Sequence, residues 1–186
     1  STDVSNAADL YPAVHGGMVT ITSRVARLPQ PGQQRGLVSY RADIETMMGE
    51  VNEDSLESVV QHLQDYGTRN AYSPEAILAQ DWIFDRFTSL GLDAELHDFT
   101  MPGGSASDNV IANLTGTKYP DEYVVLGAHY DSYSFSGGAP GADDNASGTS
   151  GILEAARIMS QYTFDRSIIF AAWGGEEYGL YGSEAW

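Results

Sequence analysis

Two uninterrupted apolar runs constrain this chain more than any other feature: YVVLGA at 123–128 and SIIFAAW at 167–173. Continuous rather than alternating apolarity predicts strands buried on both faces. Between the runs, Ile152, Leu153, Ala156 and Met159 recur at helical spacing. Strand, helix and strand in this order predict a right-handed crossover between parallel strands, and so an α/β class.

The flanking sequence fits that class. Leu56, Val59, Val60 and Leu63 predict a helix over 54–66, closed by Gly67, a residue suited to a left-handed helix end. A second helix is expected to open with Ser73 as cap and Pro74 in its first turn, to carry Ile77, Trp82, Ile83, Phe87 and Leu90, and to stop at Gly91. Both helices are expected to cover one sheet, with further strands at 93–99 and 109–114. Residues 1–51 give only a weak strand-like alternation at 18–25 and a loop signal at 28–36, and are read as an N-terminal extension or lead-in.

Composition narrows the function. Nine basic against 26 acidic side chains leave a net charge of −17, which disfavours a nucleic-acid partner. No stretch approaches the roughly 18–20 apolar residues of a membrane span. The opening residues lack a signal-peptide pattern, as expected of a cytosolic or an already processed chain. Lys118 is the only lysine beside eight arginines, an acid-rich, lysine-poor surface that suits high salt or a secreted life. Cysteine is absent, so disulfides, thiolate nucleophiles and cysteine-based metal sites are excluded, and any metal must be held by histidine and carboxylates.

Such residues collect just after the two apolar runs. His129-Tyr130-Asp131-Ser132 follows the first and Gly174-Gly175-Glu176-Glu177 the second, at the carboxyl ends of strands where open α/β sheets place their sites. Between them, the glycine-rich acidic loop 139–148 contains Asp143, Asp144 and Asn145 and leads into the crossover helix. Each piece alone has a plainer use: a hydrogen-bonded His–Asp pair, a turn with a helix cap, a solvated pair of glutamates. Their order, with 15 residues from His129 to Asp144 and 32 from Asp144 to Glu176, brings all three to one sheet edge. Tyr130, Tyr133 and Phe135 either line a pocket there or pack. His15, His62 and His97 are read as surface or packing histidines. Asn113 and Asn145 match glycan acceptors, although a glycan on Asn145 would block the proposed site.

The ordered motifs GAHYDS (127–132), APGADDNASG (139–148), EAAR (154–157) and SIIFAAWGGEEYGLYGSEAW (167–186) resemble the co-catalytic di-zinc aminopeptidases of the bacterial leucyl aminopeptidase type. Their superfamily also holds glutaminyl cyclases, glutamate carboxypeptidase and the transferrin receptor. The resemblance covers about 52–186, resting upstream on Gly67-Thr68-Arg69, Asp81-Trp82-Ile83 and Ser89-Leu90-Gly91-Leu92. It implies a three-layer sandwich with a mixed, centrally parallel sheet flanked by helices. It makes His129 a ligand of one zinc ion, Asp144 the carboxylate bridging two, and Glu177 a ligand of the second. Asp131 would orient His129, and Glu176 would be the general base that activates a zinc-bound water and passes its proton to the leaving amine. Asp143 is expected to stand aside. Two Zn²⁺ per complete domain, peptide substrates with a free N-terminus and an extracellular or periplasmic location are implied in the same way. The family's two remaining ligands, an aspartate and a histidine, lie beyond the positions matched here, so 52–186 is expected to be the N-terminal portion of a catalytic domain completed by a further C-terminal segment. A glutaminyl cyclase, or a catalytically silent interaction domain on the same fold, stays open as an alternative.

Overall fold

A computed structural model describes residues 37–186; the strand-like stretch at 18–25, the loop at 28–36 and His15 lie outside the described residues. Helix α1 (Leu37–Gly49) comes first, within the part of the sequence read as a lead-in. Helix α2 (Glu53–Gln64) starts where the Asn52 side chain accepts a hydrogen bond from the Ser55 amide at 2.9 Å, and it buries Val59 and Leu63. This side-chain acceptor satisfies one of the amides that every helix start leaves free. Helix α3 (Pro74–Ser89) has Ser73 at the capping position and Pro74 at its first turn, as expected, but the Ser73 hydroxyl makes no capping hydrogen bond. Its buried stripe runs through Ala76, Ala79, Gln80, Ile83 and Phe87, whereas Ile77 faces outward.

The sheet contains β1 (Asp93–Thr100), β2 (Ala106–Leu114), β3 (Tyr119–His129) and β4 (Arg166–Trp173), in the order β1-β2-β4-β3. β1 with β2 and β2 with β4 are antiparallel, while β3 and β4 are parallel, with Leu126 opposite Phe170 and His129 opposite Trp173. Helix α4 (Ser147–Met159) makes the crossover between the parallel pair. The expected mixed α/β sheet flanked by helices is therefore what forms.

Helices α2, α3 and α4 cover one face, where Leu63, Ile83, Phe87, Ile152 and Ala156 meet Val110, Ala128, Ile168, Phe170 and Ala172. Full burial of each large side chain here contributes about 1.5–3 kcal/mol, which anchors the strand ends that carry the polar residues. On the other face, Ile111, Ile169 and Ala171 pack with Trp173, whose ring lies 5.4 Å from that of Trp186 just beyond the short helix α5 (Tyr181–Ala185).

One expectation needs correction. β4 is buried on both faces, but β3 is not: Tyr123, Val124 and Val125 are all exposed. The two runs look alike in sequence, yet β4 has a strand on each side and β3 is at the sheet edge among the described residues. Apolar continuity reports side-chain chemistry, not how many neighbours a strand has acquired.

Candidate metal centre

His129 is the last residue of β3, and its carbonyl accepts the Thr149 hydroxyl of α4 at 2.9 Å. The chain then passes into Asp131, which is fully buried. His129 Nδ1 lies 3.1 Å from the Asp131 carbonyl and 3.5 Å from its carboxylate. An Nδ1–H held there directs Nε2 to the opposite side of the ring. Nε2 faces the acids, 3.0 Å from Asp144 Oδ1 and 3.7 Å from Glu176 Oε2.

The acidic loop divides its work among three neighbours. Gly141 opens the turn Ala142–Ala146 in a left-handed conformation (φ 53°), and a Cβ there would fall 2.7 Å from the Ser132 side chain. Asp144 and Asn145 then leave helical geometry, and the peptide bond between them is cis. Asn145 turns inward and accepts the Gly148 amide at 2.9 Å, capping α4. Asp144 points at His129, and Asp143 joins neither arrangement. Both the capping use and the site use of this loop are therefore present, on adjacent residues.

After β4, Gly175 is also left-handed (φ 66°), and a Cβ on it would press into Met101 Sδ. This bend delivers Glu176 and Glu177. Their amides donate to the two carboxylate oxygens of Asp131, at 3.1 and 3.2 Å. Asp131 thus holds both His129 and the Glu176–Glu177 segment, a second task that the His-x-Asp spacing could not disclose.

One ligand-type atom each from His129, Asp144 and Glu177 fall within 4.8 Å of one another. One imidazole nitrogen and two carboxylates are a donor set suited to zinc, and the pre-aimed Nε2 supports that fit. The electrostatics agree. Burial alone would lower the His129 pKa, but its hydrogen bond to Asp131 and the charges of Asp131, Glu176 and Asp144 outweigh it and push it up to about 9. Burial, then Asp144 and Asp131, raise the Glu177 carboxyl above its ordinary value. The cluster favours a positive charge at its centre, which a divalent cation would supply.

The cluster opens into a cavity of about 890 Å³ lined by Tyr133, Phe135, Asp144, Glu176, Glu177 and Tyr178. Tyr133 and Phe135 are therefore pocket residues, whereas Tyr130 is buried and its hydroxyl donates to the Asp108 carbonyl at 2.8 Å. His62 stacks on Trp82 with ring centroids 4.2 Å apart, and His97 lies against Asn109; both are packing histidines. Arg69, wholly buried behind the site, carried no role in the sequence reading.

Fold and site together define an α/β domain with a candidate metal centre at the carboxyl ends of its parallel strands. Residues 109–186 match the model of peptidase family M28. A probable zinc metalloprotease of Pyricularia oryzae is 35% identical over 165 residues, covering 76% of this chain and 33% of that protein. The structure of LapB from Legionella pneumophila matches with a TM-score of 0.70 at 29% identity, covering 77% of this chain and 40% of that one. An aminopeptidase from Aneurinibacillus sp. strain AM-1 shares the fold, with a TM-score of 0.66 at 18% identity over 74% of this chain and 66% of that chain. The chain thus spans about a third of the length of the curated relative it matches.

Proposed function

We propose that this chain is part of a zinc-dependent exopeptidase that removes the N-terminal residue of peptides. The observation that carries the reading is the convergence of His129, Asp144 and Glu177 within 4.8 Å beside the Glu176 carboxylate. In this reading His129, Asp144 and Glu177 would hold the metal. Zinc bound there supplies carbonyl polarisation and lowers the pKa of water towards about 7.

The protein's own residues do the rest. Asp131 fixes the His129 tautomer and the Glu176–Glu177 main chain together. Glu176, about one-third exposed, reaches the cavity from the side, takes a proton from the attacking water and returns it to the leaving amine. The carboxylate-rich rim suits a free α-amino group on the substrate. The match of residues 109–186 to peptidase family M28 and the aminopeptidase fold support this reading, and the acid-rich, lysine-poor composition supports an extracellular or periplasmic setting.

The test is Glu176→Gln in the full-length protein. Release of N-terminal residues is expected to fall about 10²–10⁴-fold with zinc content unchanged. Undiminished turnover sinks the mechanism. Cyclisation of N-terminal glutamine with one zinc per chain would assign a glutaminyl cyclase instead, and zinc-free protein with no hydrolysis would assign a silent interaction domain.

A further inference from the structure

Arg69 is 0% exposed, yet among the described residues its guanidinium has no carboxylate oxygen within 4.0 Å. It spends its donors on main-chain carbonyls instead. Nε donates to Tyr130 O at 2.7 Å, one terminal nitrogen to Leu63 O at 2.8 Å and Pro140 O at 2.6 Å, and the other to Gly141 O at 2.9 Å. Removing a guanidinium from water is costly, and an apolar side chain would fill the same space more cheaply if filling were its only use.

The carbonyls it selects explain the choice. Tyr130 directly follows His129, Pro140 and Gly141 lead into the turn that presents Asp144, and Leu63 is in α2. The Arg69 main chain adds to the clasp: its amide donates to Ser132 Oγ at 2.9 Å and its carbonyl accepts the Ser132 amide at 3.2 Å. Ser132 Oγ in turn donates to Ala139 O at 2.6 Å, and the Ala139 amide donates to Gly67 O at 3.0 Å. The planar fork and Ser132 together therefore set the separation between the end of β3 and the acidic turn, two segments not joined to each other by strand pairing. Lysine could keep the charge but not the fork.

We infer that Arg69 is a positioning residue of the metal centre, holding His129 and Asp144 at the separation that lets both reach one cation. It touches neither metal nor substrate and acts through the carbonyls of Tyr130, Pro140 and Gly141. The inference rests on the metal reading given above.

The test compares Arg69→Lys, Arg69→Met and Ser132→Ala with Arg157→Met, a control far from the site, all in the full-length protein. Zinc affinity is read by competition with a chromophoric chelator, and folding by thermal unfolding of the zinc-free samples. Arg69→Lys is expected to bind zinc about 10–100-fold more weakly, the range typical of supporting residues around metal ligands. Ser132→Ala is expected to lose about threefold to tenfold, and Arg157→Met to stay within about threefold despite its lower melting temperature. A folded Arg69→Lys or Ser132→Ala with the zinc affinity of Arg157→Met overturns the inference, and Ser132→Ala decides alone should neither Arg69 variant fold. Wild-type protein that binds no zinc removes the metal reading itself, and the inference with it.

Discussion

Helix α4 separates two acidic sites that treat their carboxylates in opposite ways. On its body, Glu154 is buried and accepts four hydrogen bonds: from the Asn52 amide at 2.8 Å, the Ser55 hydroxyl at 3.0 Å, and two Arg157 nitrogens at 2.9 and 2.7 Å. Arg157, first of all, and then the Asn52 and Ser55 donors overcome burial and hold the Glu154 pKa down at about 2. Before its first turn, Asp144, Glu176 and Glu177 crowd around a single imidazole, and Glu177 is pushed up rather than down. A carboxylate supplied with donors fastens the helix in place. A carboxylate surrounded by other carboxylates is left wanting a cation, and that deficit singles out the candidate site.

The largest expected contrast is in zinc binding. Glu177→Gln removes a proposed ligand and is expected to weaken zinc by more than about 100-fold, beyond the loss typical of supporting residues. Glu154→Gln, on the same helix system, is expected to stay within about threefold. Equal losses in a chelator competition would break the distinction between the two sites.

Stability is expected to respond the other way round. Arg157→Met leaves Glu154 buried with its main cationic partner gone. Breaking a buried pair costs about 3–5 kcal/mol, but Arg157 is 32% exposed, so about 2 kcal/mol is expected in denaturant unfolding. Part of the loss comes from the Arg157 bond to the Glu50 carbonyl at 2.7 Å, which ties the segment after α1 to α4. A cost below about 0.5 kcal/mol would mean that the clasp is ornamental.

Legibility from sequence differed between these regions for physical reasons. The crossover was readable because helix and strand periods differ and the apolar runs are long. The His129, Asp144, Glu176 and Glu177 cluster was readable because each follows an element that delivers it to one edge, and because the motif resembles a known family. The Glu154 clasp was readable only in its half at helical spacing, Arg157; its donors at Asn52 and Ser55 are about a hundred positions away, and no local pattern records such a pairing. Arg69 escaped for a related reason, since its partners are carbonyls, which every residue has. The edge position of β3 escaped because periodicity describes one strand at a time, while exposure depends on the whole sheet.

Acid should dissect the clasp. The folded Glu154 pKa is depressed from 4.5 to about 2, so its stabilisation is complete above about pH 5 and is lost as the pH falls towards 2. Allowing for solvent screening at Arg157, about 1 kcal/mol should be gone by about pH 3. The stability gap between wild type and Glu154→Gln is therefore expected to narrow by that amount between about pH 5 and 3. A gap that stays constant across this window would show that the Glu154 charge contributes nothing to folding.

The smallest effect tests the other side of the comparison most directly. Burial and the neighbouring Asp144 and Asp131 raise the Glu177 pKa, so in the zinc-free protein its ionised form is less favourable folded than unfolded. His129 opposes this, but as a lesser influence. Glu177→Gln keeps the shape and removes the charge, so zinc-free protein should become slightly more stable in urea unfolding at neutral pH, a small effect because the side chain is only half-buried. With saturating zinc the order should reverse, because the wild type then collects binding free energy that the variant cannot. The crossing of the two orders is the diagnostic outcome, since a purely structural glutamate would make the variant less stable under both conditions. Glu154→Gln should be less stable with and without zinc alike, which separates a carboxylate held by its own fold from one that the fold strains to present.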